Sequence, residues 1–202
     1  MKNKRLMMII GIAVLVLGSG AFFFLRKEKT ADAPATNQKK KLSLPTNVIP
    51  VSERPYLSIE PMADGKNLQI RVYSLEKEAT SMEYELEYQA GTLLQGAFGE
   101  VAITELPTTT KILLGSCSAG GACTYHEDVK GGSLLTRYVG GSDPYALKSD
   151  WKYIDNAKKE TAFSSKDAKF QIEGKPLAQL RYAVIFNTPG HPKKAPGTIV
   201  SD

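Results

Sequence analysis

Residues 6–25 read LMMIIGIAVLVLGSGAFFFL, twenty residues without a charge between Arg5 and Arg26. As a helix rising about 1.5 Å per residue, this stretch is roughly 30 Å long, the hydrocarbon thickness of a bilayer. A helix of a soluble domain keeps one polar face, and this segment is apolar all round. The sequence therefore predicts a single transmembrane signal-anchor helix over residues 6–25, preceded by a basic tail, residues 1–5. A cleaved signal peptide is the second reading: Lys2, Lys4 and Arg5 supply its basic region, and Ser19-Gly20-Ala21 a small-residue cleavage site. The apolar run continues through Phe22–Leu25, however, and exceeds the about 7–15 residues of a signal core. A buried core helix is a third reading. No cysteine follows to carry a lipid.

Orientation is a balance of two rules. Three basic residues precede the segment, and six follow it: Arg26, Lys27, Lys29, Lys39, Lys40 and Lys41. Counted alone, they hold the C-terminal part in the cytoplasm. A short basic N-terminus resists translocation, while long domains cross largely regardless of charge. The expectation is N-terminus in and domain out, with the opposite polarity left open.

The net charge of +5 suggests at first a nucleic-acid partner. Nine of the 26 basic residues lie in the first fifty positions, opposed there only by Glu28 and Asp32, and from Val51 onward 17 basic residues face 19 acidic ones. The basicity belongs to the anchor and its flank, so no nucleic-acid partner is expected. Residues 26–50 are small, polar and charged without apolar periodicity, and Pro45 and Pro50 stiffen their end. They read as a flexible linker. Residues 51–187 are enough for one domain with a hydrophobic core. The stretch 188–202 holds Pro189, Gly190, Pro192, Pro196 and Gly197 and reads as a tail.

Within the domain the period is two. Leu68, Ile70 and Val72 alternate with Asn67, Gln69 and Arg71; Met82, Tyr84, Leu86 and Tyr88 alternate with Glu83, Glu85 and Glu87. Such alternation marks half-buried strands with the glutamates on the wet face. Shorter signals cover 56–60, 111–117, 122–126, 133–139, 146–154, 169–173 and 181–187. Asp64-Gly65, Gly120-Gly121, Gly131-Gly132, Gly140-Gly141 and Gly174 read as the turns between them. Residues 155–162 offer at most a turn or two of helix. The expected fold is all-β, an antiparallel sandwich.

The run Leu68–Gln89, an alternating apolar strand followed by a tyrosine-rich one, resembles the B and C strands of fibronectin type III and immunoglobulin-like domains. The resemblance implies a sandwich of that family's kind. Trp151 and Tyr153 are candidate core aromatics, but Trp151 comes too late for the family's strand-C tryptophan. As a whole the chain is similar to small single-anchor surface proteins of bacteria.

Cys117 and Cys123 flank Ser118-Ala119-Gly120-Gly121-Ala122, a spacer suited to a hairpin loop that sets the two cysteines opposite each other. A disulfide is the first reading. Free structural thiols are the second; metal or catalytic roles are less favoured, because Cys117, Cys123 and His126 make only three ligands in no standard zinc spacing, and a cysteine nucleophile needs one of only two histidines, His126 and His191. His126-Glu127-Asp128 is the densest polar cluster; it reads as a solvated turn ahead of a cation site. The candidate binding loop thus comprises Ser118–Ala122 with His126, Glu127 and Asp128.

The sequence contains no Gly-x-Ser-x-Gly, P-loop, dinucleotide fingerprint or His-Glu-x-x-His motif. No enzymatic activity, cofactor or metal is expected. The expected role is an anchored, extracytoplasmic interaction module that meets an envelope or surface protein or polymer. The alternatives are a structural subunit of a pilus- or secretion-type assembly and, behind it, an enzyme on a β scaffold.

Overall fold

The computed structural model describes residues 43–192. The anchor expected at 6–25 lies outside them. Among the described residues no helix is long and apolar enough to cross a membrane, and the helical content is two 3-10 turns, Val51–Glu53 and Lys175–Gln179.

The strands are β1 (Tyr56–Pro61), β2 (Asn67–Ser74), β3 (Ser81–Ala90), β4 (Leu93–Ala102), β5 (Thr108–Leu113), β6 (Gly115–Cys117), β7 (Cys123–Tyr125), β8 (Val129–Val139), β9 (Tyr145–Asp155), β10 (Ala162–Ser164), β11 (Gln171–Glu173) and β12 (Tyr182–Phe186). They form a three-stranded sheet, β1-β2-β5, a five-stranded sheet, β12-β9-β8-β3-β4, and two hairpin ribbons, β6-β7 and β10-β11. Every strand pairing is antiparallel. The all-β expectation is met.

The alternating segments do what their period requires. Leu68, Ile70 and Val72 of β2 are fully buried, as are Met82, Leu86 and Tyr88 of β3. Leu57 and Ile59 of β1 and Ile112 of β5 join β2. From the other sheet come Leu134 and Tyr138 of β8 and Tyr145, Leu147, Trp151 and Tyr153 of β9, so both sheets share one core. On the opposite face of β3, Glu85 pairs with Arg137 at 2.8 Å and Glu87 accepts from the Ser133 hydroxyl at 3.1 Å.

Four local expectations change. Gly131-Gly132 is a piece of β8, where a side chain would collide with the neighbouring strands. A Cβ on Gly132 would lie 2.1 Å from the Glu87 carbonyl oxygen, and one on Gly131, whose φ is +98°, 2.4 Å from that of Trp151. The β3–β8 register also shifts here, between Gln89 and Ala90. The single strand expected at 111–117 is divided at the buried Leu114, whose amide donates to the Lys66 carbonyl at 2.8 Å. β4 carries no clear polar–apolar alternation and has no counterpart among the strands expected from sequence. Gly174 is extended, with φ at 162°.

Both ends of the described segment hold the sheets. Thr46 bridges Ala146 in parallel, and Asn47 hydrogen-bonds to the backbone of Lys148 through both ends of its amide, at 3.0 Å each. The Thr188 hydroxyl donates to the Leu57 carbonyl at 2.8 Å, linking the residues after β12 to β1.

Candidate functional site: a cross-linked hairpin

The strands β6 and β7 make a ribbon whose directly paired end residues are Cys117 and Cys123. Their sulfurs are bonded, with Cα atoms 4.0 Å apart. The ribbon needs Gly115 at its base: a Cβ there would stand 2.3 Å from the Thr124 carbonyl oxygen. The tip is closed by its own backbone, the Ser118 amide donating to Ala122 at 2.8 Å and the Gly121 amide to Ser118 at 2.9 Å. Gly121 has φ +83°, the left-handed conformation that glycine adopts without cost. Every residue from Ser116 to Tyr125 is exposed.

The base of the ribbon is fastened to the core. The His126 amide donates to the carbonyl of the buried Leu114 at 2.9 Å. The His126 ring meets the Tyr88 hydroxyl through Nδ1 at 2.9 Å. Tyr88 is 1% exposed and packs edge-on against Trp151, with ring centroids 6.3 Å apart. Burial pushes the Tyr88 phenol above its ordinary pKa, with the Gly115 amide acting against that shift. Lys66 places its ammonium 4.2 Å from the centroid of the Tyr125 ring. That lysine follows a turn held by Asp64, whose carboxylate accepts from the amides of Lys66 at 2.8 Å and Asn67 at 3.0 Å.

The residues singled out from sequence are thus partly gathered. Cys117, Ser118, Ala119, Gly120, Gly121, Ala122 and Cys123 form one cross-linked tip, and His126 sits at its root. Glu127 and Asp128 are exposed beyond it. Asp128 adopts φ +51°, accepts from the Gly91 amide at 3.2 Å and lies 3.5 Å from Lys130. Among the described residues no group of three or more His, Cys, Asp or Glu side chains is placed to hold a metal ion. His191 lines an open groove of about 430 Å³ with Arg54, Lys148 and Asp150, and neither cysteine nor His126 is among its lining residues. Arg54 spends its guanidinium on the carbonyls of Ile49 and Asn47, at 3.0 and 2.9 Å.

Tyr88 and Lys66 are the parts of this site that the sequence did not announce. Tyr88 is separated from His126 by 38 positions, and its place in an alternating strand marks it only as core. No protein-family model, curated protein or solved structure matches the chain.

Proposed function

We propose that this chain is a membrane-anchored interaction module and not an enzyme. Residues 6–25 hold it in the membrane as a single-pass helix, the linker lets the domain stand away from the surface, and the domain faces outward. The cross-linked hairpin is its contact element for an envelope or surface protein or polymer. The observation that carries this reading is the hairpin itself: an exposed tip, closed by a disulfide, on a base tied to the core through His126 and Tyr88. A rigid exposed loop on a firm scaffold loses little entropy on binding.

The immunoglobulin-like resemblance is part of the same proposal, and the strand order supports it. β1-β2-β5 corresponds to strands A-B-E and β3-β8-β9 to C-F-G of such sandwiches, with β4 beyond β3 as the extra strands of variable-type domains lie beyond C. β12 is an addition to that plan.

A photoreactive amino acid at Ala119 of the full chain tests the contact. Irradiated in intact cells, it is expected to give a discrete adduct that disappears when both cysteines are replaced by serine. The same probe at the exposed Lys158 is expected to give none. Equal adducts from both positions, or adducts indifferent to the disulfide, refute the hairpin as the contact element. The second reading, a structural subunit of an envelope assembly, is favoured by β4, which among the described residues is an edge strand paired with β3 alone.

A further inference from the structure

The strand edges of this domain are treated unequally. Beside β12, the chain is closed against β1 by the Thr188–Leu57 hydrogen bond and by Gly190, which packs on the carbonyls of Arg54 and Pro55. β1 itself has a register shift between Tyr56 and Leu57 and ends in Pro61. Among the described residues, β4 carries no such bulge, proline or strand cover. Among the described residues it pairs with β3 alone, and it keeps an unbroken register from Ala90↔Leu93 to Ser81↔Ala102. It contains neither lysine nor proline, and Leu93, Leu94 and Phe98 are 62%, 69% and 79% exposed. Native edges are ordinarily shortened, charged, bulged or covered; a long, regular, apolar edge is a template for another strand.

We propose that β4 is an interface between two copies of this chain, paired antiparallel about a two-fold axis at Gly96, so that two five-stranded sheets become one. The sequence of β4 is self-complementary in that register. Leu94 lies opposite Phe98 of the second copy, and the symmetry repeats the pair. Leu94, Gly96, Phe98 and Glu100 share one face by the period of two, so apolar side chains meet apolar ones. Gly96 meets Gly96 with nothing between the strands but backbone.

Charge permits the same arrangement. Glu100 falls opposite Thr92, so no two carboxylates stand opposite each other. The Glu83, Glu85 and Glu87 rows on the two β3 strands are three strand spacings apart, about 14 Å, beyond the roughly 8 Å screening length at physiological ionic strength. A foreign strand would need its own matching apolar pattern, whereas self-pairing uses residues this chain already exposes. A strand edge alone buries less than the about 800 Å² per partner of a standard stable interface. The contact is therefore weak between free chains and forms where copies are concentrated.

Gly96→Cys in the full chain tests the pairing. In the proposed register the two Cα atoms come within about 5.5 Å, inside disulfide reach, and among the described residues a Cβ at this position meets only the Leu86 carbonyl oxygen, at 3.6 Å. Mild oxidation is expected to give a reductant-sensitive homodimer. The band is expected to be absent from a Lys158→Cys control and lost when Leu94→Lys and Phe98→Lys are added. No dimer above the control, or a disulfide adduct of the Gly96→Cys chain with a different protein in its place, overturns the proposal. If Gly96→Cys does not fold, the Leu94→Lys/Phe98→Lys chain without the added cysteine decides by native mass at high concentration: a shift from dimer to monomer supports the interface, and an unchanged mass overturns it.

Discussion

The ring of His126 meets the hydroxyl of Tyr88 at 2.9 Å, and this one contact joins the most exposed hairpin of the domain to one of its most buried side chains. Tyr88 in turn lies edge-on to Trp151. The orientation of the hairpin is therefore coupled to core packing and does not rest on the ribbon's own short ladder.

Tyr88→Phe keeps the ring and removes the link. A net hydrogen bond is worth about 1 kcal/mol, so urea unfolding is expected to show a loss of that size with an unchanged slope. Amide exchange is expected to accelerate in 114–126 more than in β2. Equal acceleration throughout the domain would mean that the hydroxyl serves the core and not the hairpin.

The disulfide constrains a small loop. Replacing both cysteines by serine is expected to lower stability by about 2 kcal/mol in the chain-entropy model and to leave the domain folded, because the shared core carries most of the stability. Denaturant melts of the two forms measure this. Thiol labelling of the unreduced wild-type chain should find no reactive cysteine.

Gly132 and Gly121 separate two uses of glycine. A Cβ at Gly132 meets the Glu87 carbonyl, a backbone atom that cannot swing away, so Gly132→Ala is expected to cost roughly 3 kcal/mol. At Gly121 there is open space, and only the φ of +83° resists a side chain; Gly121→Ala is expected to cost about 1 kcal/mol. Thermal or urea unfolding of the two variants gives the order.

Stability should fall on both sides of neutrality. Asp64 has its carboxyl held below the ordinary value, first by the Lys66 amide and then by Asn67, against the opposing effect of burial. Its contribution is present above about pH 4 and is lost as pH falls through the lowered folded value. Burial pushes the Tyr153 phenol up to about 12, reinforced by the neighbouring Tyr182. That contribution is complete below about pH 10 and is lost as pH rises towards the folded value. Urea midpoints across pH are expected to decline at both ends, with Asp64→Asn flattening the acid limb and Tyr153→Phe the alkaline one.

The parts of this fold that are legible in the sequence are those where one physical pattern dominates. Leu68–Val72 and Met82–Tyr88 bury one face and wet the other, so their period of two speaks directly. The cysteine pair is legible because a five-residue spacer with two glycines at its centre leaves a hairpin as the simplest connection. β4 is hidden because Leu93, Leu94 and Phe98 are apolar and exposed, while Gly99 has no side chain because the Tyr84 ring lies over it. Gly131-Gly132 imitates a turn because close approach of two strands demands the same residue that a turn does. The His126–Tyr88 link has no local signature, since it arises only when β3 and the hairpin meet.

In the proposed anchored arrangement, the side of the membrane on which the domain stands decides whether the hairpin meets an envelope partner at all. The direct measurement is protease treatment of sealed spheroplasts carrying the full chain with an epitope at each end. The account predicts that protease removes the C-terminal epitope and the domain while the N-terminal epitope survives until the membrane is lysed. A C-terminal epitope that survives in sealed spheroplasts and is lost only on lysis would contradict it.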